Sequence, residues 1–223
     1  MTLTEYLESG GILLTEGSVY EKIRRSTDVS TDPHIANASL IYDPVGKDVL
    51  RSVVEQYLEI GQRFNLPMLC LTNTWRANPE RIARSSYSDR SVNKDCVLFY
   101  RDLIDGLAPM SPIYLGGLIG FRGDAYKAQE ALGTNEAYVF HQKQVCELAS
   151  SGVDFLYAST LPARSEALGI ARAMSETETP YMLSFVIRAN ATLLDGSSLN
   201  SVVKEIDAIV DNPPIRFMIN CTY

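Results

Sequence analysis

The chain has 223 residues, 46% hydrophobic and 21% charged, a globular composition that excludes disorder over most of its length. Twenty Lys and Arg against 27 Asp and Glu leave a formal charge of −7, and no dense Lys/Arg cluster offsets it, so neither nucleic acid nor an anionic membrane is an expected partner. No apolar run reaches the roughly 20 residues of a membrane-spanning helix, and Met1 to Tyr6 lack the basic-then-apolar order of a secretory signal, so a cytoplasmic protein is expected.

Along the chain, short apolar runs alternate with helix-length amphipathic stretches. The first run is residues 11–14. The stretch 48–64 then carries Val49, Val53, Val54, Tyr57 and Leu58 at spacings of three and four, which predicts a helix. A second run, 67–71, and a third, 112–118, follow, with Cys96 between them in a segment that also reads as helical. Residues 136–150 form the next helical stretch, ended by Ser151-Gly152. The runs 153–158, 181–187 and 215–219 alternate with predicted helices over 164–175 and 199–210, and Asn212-Pro213-Pro214 breaks the last of these. The runs are nearly continuous rather than alternating, as expected of parallel strands covered by helices.

This βαβα order predicts a single α/β domain over residues 1–223, either a (β/α)8 barrel or an open doubly wound sheet. Six strands are predicted where a full barrel has eight. In both architectures the chemistry lies beyond the C-terminal ends of the strands. Those ends are Thr15-Glu16, Thr72 to Trp75, Ile119 to Gly123, Ser159 to Pro162, Arg188 to Asn190, and Asn220 to Thr222.

Of the four cysteines, Cys70, Cys96 and Cys146 read as small buried apolar residues, and their spacing gives no CxxC pair. The glycines between Gly116 and Gly123 miss the GxGxxG spacing and read as a turn requiring positive φ. Trp75 reads equally as a residue of the pocket mouth or of the core. His141 reads as a helix surface or packing residue. Asp195-Gly196 reads as a turn before a helix capped by Ser197 or Ser198.

Four stretches together resemble the homocysteine S-methyltransferase family. Leu71-Thr72-Asn73-Thr74 is similar to its TNT turn after the second strand. Gly117 to Gly123 is similar to its GSIGPYG loop, with three glycines in register. Ser184-Phe185, Arg188 and Leu194 to Leu199 are similar to its SF..R….L.DG.PL stretch, and Asn220-Cys221-Thr222 to its NC[CT] end of the sixth strand. The resemblance runs from about residue 11 to 222 and implies a (β/α)8 barrel, here without its last two strand–helix units.

It also implies a zinc ion held by three thiolates that binds the thiol of homocysteine as its fourth ligand, in a pathway that makes methionine. Such coordination removes the proton that keeps a thiol near pKa 8.5 a poor nucleophile, so that it can attack a methyl donor. Cys221 takes the place of the first ligand. The other two belong to a GGCC motif that does not occur in these 223 residues, so one ligand cysteine stands where a zinc site needs three or four ligands.

The resemblance points to Thr15, Glu16, Asn73, Ser159 and Asn220 as the substrate-binding positions. Three of them, at two strand ends, depart from the family pattern. Thr15-Glu16 replaces the aspartate and first glycine of DGG.GTEL, and Glu16 reads either as a stand-in for that aspartate or as a solvated loop acid. Ser159 replaces the glutamate of FET.P, and a hydroxyl can bond an ammonium without neutralising it. Two functions follow from these residues: methyl transfer to homocysteine or a related thiol or selenol, or a repurposed barrel that binds another small metabolite. The expected partners are a thiol substrate and a methyl donor. A second copy covering the open sheet edges is also expected.

Overall fold

The computed structural model of the chain describes residues 1–26 and 28–222. Its frame is one sheet of six parallel strands in chain order: β1 (Leu14–Thr15), β2 (Met68–Leu71), β3 (Ile113–Gly120), β4 (Phe155–Leu161), β5 (Tyr181–Ile187) and β6 (Arg216–Thr222). Helices α1 (Leu3–Glu8), α2 (Val19–Ser26), α3 (Pro44–Phe64), α4 (Pro79–Arg84), α5 (Val92–Leu107), α6 (Thr134–Ser150), α7 (Arg164–Ser175) and α8 (Leu199–Ile209) precede and connect them. Among the described residues β1 pairs only with β2 and β6 only with β5, yet residues from both ends of the sheet line one cavity. The sheet is therefore curled, a (β/α)8 barrel carried through six of its strands.

The local reasons are visible in the sequence. Asp43 caps α3 by accepting the Gly46 N–H (2.6 Å), Pro44 opens it, and Asn65 closes it in the left-handed region (φ 50°). Its apolar stripe, Leu50, Val53, Val54 and Leu58, is buried in the core between sheet and helices; each such side chain contributes about 1.5–3 kcal/mol by leaving water. The alternate strand residues face the other way. Leu69, Tyr114, Phe155, Tyr157 and Met182 form a second cluster inside the curl, closed below by Leu3, Tyr6 and Leu7 of α1. Tyr6 ties α1 to the entry of β1 by donating to the Ile12 carbonyl (2.7 Å), and Arg216 of β6 donates to the Leu7 carbonyl (3.1 Å).

Several boundaries differ from the sequence reading. The first strand is two residues at 14–15, beginning where the 11–14 run ends. β3, β4 and β6 extend two or three residues further than their apolar runs, through Ile119-Gly120, Ser159 to Leu161 and Asn220 to Thr222, where small and polar side chains mix with the apolar ones. Their pairing is decided by neighbouring strands rather than by their own hydrophobicity. The 164–175 helix is found as predicted, and that from Leu199 ends one residue early, with no side-chain cap from Ser198.

The Gly116–Gly123 stretch corrects an expectation. None of its glycines has positive φ. The constraint is close approach: a Cβ on Gly116 would lie 2.4 Å from Cζ of Phe155, and one on Gly120 2.3 Å from the Trp75 carbonyl oxygen. Cys146 is also corrected, since it is exposed on α6, while Cys70 and Cys96 are buried as expected.

Candidate functional site

The six residues singled out from the sequence, Thr15, Glu16, Asn73, Ser159, Asn220 and Cys221, all line a cavity of about 530 Å³ at the C-terminal ends of the strands. Trp75 lines it too. Thr160, within the strand end Ser159 to Pro162, lines it as well, and sequence reasoning missed Tyr100, Tyr126 and Tyr157, which also contribute to the wall. Tyr126 lies three residues beyond Gly123, in the segment that follows β3, so loop position was a usable signal. Tyr100 lies on α5, and nothing in its sequence context points inward.

On the β4–β6 side the polar groups bond one another. Both strands are irregular here: the β4 register shifts between Ala158 and Leu161, and that of β6 skips Asn220. Such bulges re-aim side chains at the rim of a sheet. Thr160 sits at φ 60°, which a β-branched residue adopts only under strain, costing on the order of 1–3 kcal/mol. Asn220 spans the two strands. Its Oδ1 accepts the Thr160 N–H (3.1 Å) and the Ser184 hydroxyl (3.0 Å), and its Nδ2 donates to the Thr160 hydroxyl (2.8 Å). Asn220 thus replaces the ladder bonds that the bulges remove. Beside it Cys221, half-buried, has its Sγ 3.6 Å from the Tyr126 hydroxyl and 3.7 Å from the Asn220 amide.

The β1–β2 side is the opposite. The Glu16 carboxyl is buried and its Oε2 has no hydrogen-bond partner. Glu16 is therefore not a solvated loop acid. Burial pushes its pKa from 4.5 up to about 8, against the smaller lowering effects of the Leu71 backbone and the Cys70 thiol. Burial and the neighbouring Glu16 also push the Cys70 thiol and the Tyr100 hydroxyl well above their ordinary values. Asn73 donates to the Asn37 carbonyl (2.7 Å) but its Oδ1 is unpartnered, as are Nε1 of Trp75 and the hydroxyl of Tyr100. Four buried polar atoms, two acceptors and two groups able to donate, therefore stand unsatisfied on residues that line one cavity, an arrangement native proteins avoid unless something polar pairs with them.

The donor set can be tested against zinc. The side-chain polar atoms near the Cys221 sulfur are a phenol and a carboxamide, and no three His, Cys, Asp or Glu residues come together among the described residues. His141 is turned away: it is fully buried, its Nε2 2.9 Å from Oε1 of Glu166. It is a packing residue and not one of the helix surface. The residues described here do not by themselves fit a zinc ion.

The homocysteine S-methyltransferase sequence profile matches residues 13–223. The chain belongs to the homocysteine S-methyltransferase family. No curated protein sequence matches it. Among solved structures, this family member is similar to the homocysteine methyltransferase MmuM from Escherichia coli in its metallated form, at 18% identity and a TM-score of 0.76, over 96% of this chain and 76% of that one. The oxidized form gives 20% identity and the same TM-score over 93% and 72%. At such identities the likeness establishes the fold, and the chain spans about three quarters of the length of those proteins. No described helix is long and apolar enough to cross a membrane.

Proposed function

We propose that the cavity takes a small polar thiol, homocysteine or a close relative, as the acceptor in a methyl-transfer reaction. The observation that supports this best is the meeting of Glu16, Asn73, Asn220 and Cys221 around one cavity, in a chain of this family. The sulfur end of the ligand would sit on the β6 side, near Cys221. Its polar head would lie against Glu16, Asn73, Trp75 and Tyr100, whose unpaired atoms it would satisfy. An ammonium placed there would draw the Glu16 proton off below pH 8 and gain a carboxylate partner. In the reaction a donor's methyl carbon forms a bond to the acceptor sulfur, the thiol loses its proton, and the donor leaves with the electron pair of the broken bond.

Zinc, a role in making methionine and a cytoplasmic location accompany this reading as properties of the family. Of zinc ligands, this chain offers Cys221. A thiol, a methyl donor and a second copy along the open β1 and β6 edges are the partners proposed. The swap to Ser159 and the neutral Glu16 favour one alternative: a relative that binds another small metabolite without transferring methyl groups.

The test is an assay of the full chain with L-homocysteine and either a sulfonium or a quaternary ammonium donor, with and without added zinc. Methionine detected by mass spectrometry, and lost in Cys221→Ser, is the expected result. Absence of methionine together with no calorimetric signal from homocysteine would overturn the reading and favour the alternative.

A further inference from the structure

The segment from Arg122 to Leu132 leaves β3 and brings Tyr126 to the cavity wall. Both of its ends are held by one side chain that is remote from the cavity. Glu166 of α7 is fully buried; its Oε1 accepts the Arg122 backbone N–H (2.8 Å) and its Oε2 that of Leu132 (3.0 Å). His141 of α6 completes the arrangement, with Nε2 2.9 Å from Oε1 and Nδ1 unpartnered. In the neutral ring the proton therefore belongs on Nε2, donating to Glu166. Inside the segment, Asp124 N–H donates to Glu130 (2.9 Å), Tyr126 N–H to Asp124 (3.0 Å), and Arg76 to the Gly123 carbonyl (2.5 Å).

A buried carboxylate engaging three donors is a strong anchor, because releasing any of them leaves a charged group or an amide unsatisfied. Helix packing alone does not require it: α6 and α7 already close on each other at Gly169, where a Cβ would lie 2.5 Å from the Ala137 Cβ. What Glu166 adds is the placement of the loop.

We propose that Glu166 is a positioning residue that clamps the Arg122–Leu132 segment at both ends, and so seats the Tyr126 hydroxyl against the Cys221 sulfur, with His141 orienting the clamp. The proposal rests on the reading of the cavity as the substrate site, because only there does shielding of Cys221 have a use. Its test needs no substrate, so the failure of one does not carry the other.

The experiment is alkylation of the full chain by iodoacetamide at fixed pH, read peptide by peptide. A Cys146→Ser background removes the exposed thiol, and buried Cys70 and Cys96 report any general unfolding. Tyr126→Ala is expected to speed labelling of Cys221 about fivefold or more, and Glu166→Gln, whose amide cannot accept from both backbone donors, about threefold or more, without labelling Cys70 or Cys96. The double variant should be no faster than Tyr126→Ala, since both act through one ring. An unchanged rate in Glu166→Gln, or multiplying effects, would overturn the proposal. Should Glu166→Gln expose the buried thiols, hydrogen exchange of the wild-type chain decides: Arg122 and Leu132 amides as protected as α6 support the clamp, and free exchange overturns it.

Discussion

The two walls of the cavity are built on opposite principles. On the β4–β6 side, bulges and a strained Thr160 are compensated within the protein by Asn220, which bonds a backbone amide and two hydroxyls and holds Cys221 beside it. On the β1–β2 side, one polar atom on each of Glu16, Asn73, Trp75 and Tyr100 is buried and left without a partner. A wall that satisfies itself fixes geometry, whereas a wall that does not awaits a ligand. The difference assigns rigidity to the sulfur end of the site and recognition to the polar end.

The largest expected effect breaks the recognition side. Because the Glu16 pKa of about 8 lies above its ordinary 4.5, the folded chain holds a proton that the unfolded chain gives up. Stability is full below about pH 4.5 and is lost as pH rises to and through 8. Glu16→Gln removes that loss, so urea unfolding at pH 9 should find the variant gaining on the order of 2–4 kcal/mol over wild type relative to pH 5. A parallel pH dependence in the two proteins would show that Glu16 is not buried in this way.

A smaller loss is expected from the self-satisfied wall. Asn220→Ala leaves the Thr160 amide and the Ser184 hydroxyl without their shared acceptor and should cost about 1–3 kcal/mol in urea unfolding, at all pH values alike. Smallest of all is Trp75→Phe. It removes an unpaired N–H while keeping a ring against Arg76, 4.2 Å from the Trp75 centroid, and should alter the stability of the free protein by under about 1 kcal/mol. Asn220→Ala should thus damage folding, and Trp75→Phe ligand affinity; the reverse pattern would exchange the roles of the two walls.

Much of this was legible in the sequence. The long helices and apolar strand centres announce themselves by period, and the strand ends Asn73, Ser159, Asn220 and Cys221 could be placed at one rim because a parallel α/β sheet puts them there. The strand tips were not legible. Ser159, Leu161, Cys221 and Thr222 pair because their neighbours do, and no local propensity encodes the irregularities at Thr160 and Asn220. The role of Gly116 and Gly120 was misread for a similar reason: their constraint is the approach of Phe155 and Trp75, distant in sequence, and not their own backbone angles. Glu166 carried no signal, since a buried carboxylate and a solvated helical one look alike until their partners are known.

The most direct test of the account is calorimetric titration of the full chain with L-homocysteine at pH 7, repeated with homoserine, which carries oxygen in place of sulfur, and with Glu16→Gln. The account predicts that homocysteine binds, that homoserine binds at least about tenfold more weakly, and that Glu16→Gln weakens homocysteine by a similar factor, about 1.4 kcal/mol each. Equal affinity for both ligands, or a Glu16→Gln variant that binds as wild type does, would contradict a site with sulfur on one wall and the polar head on the other.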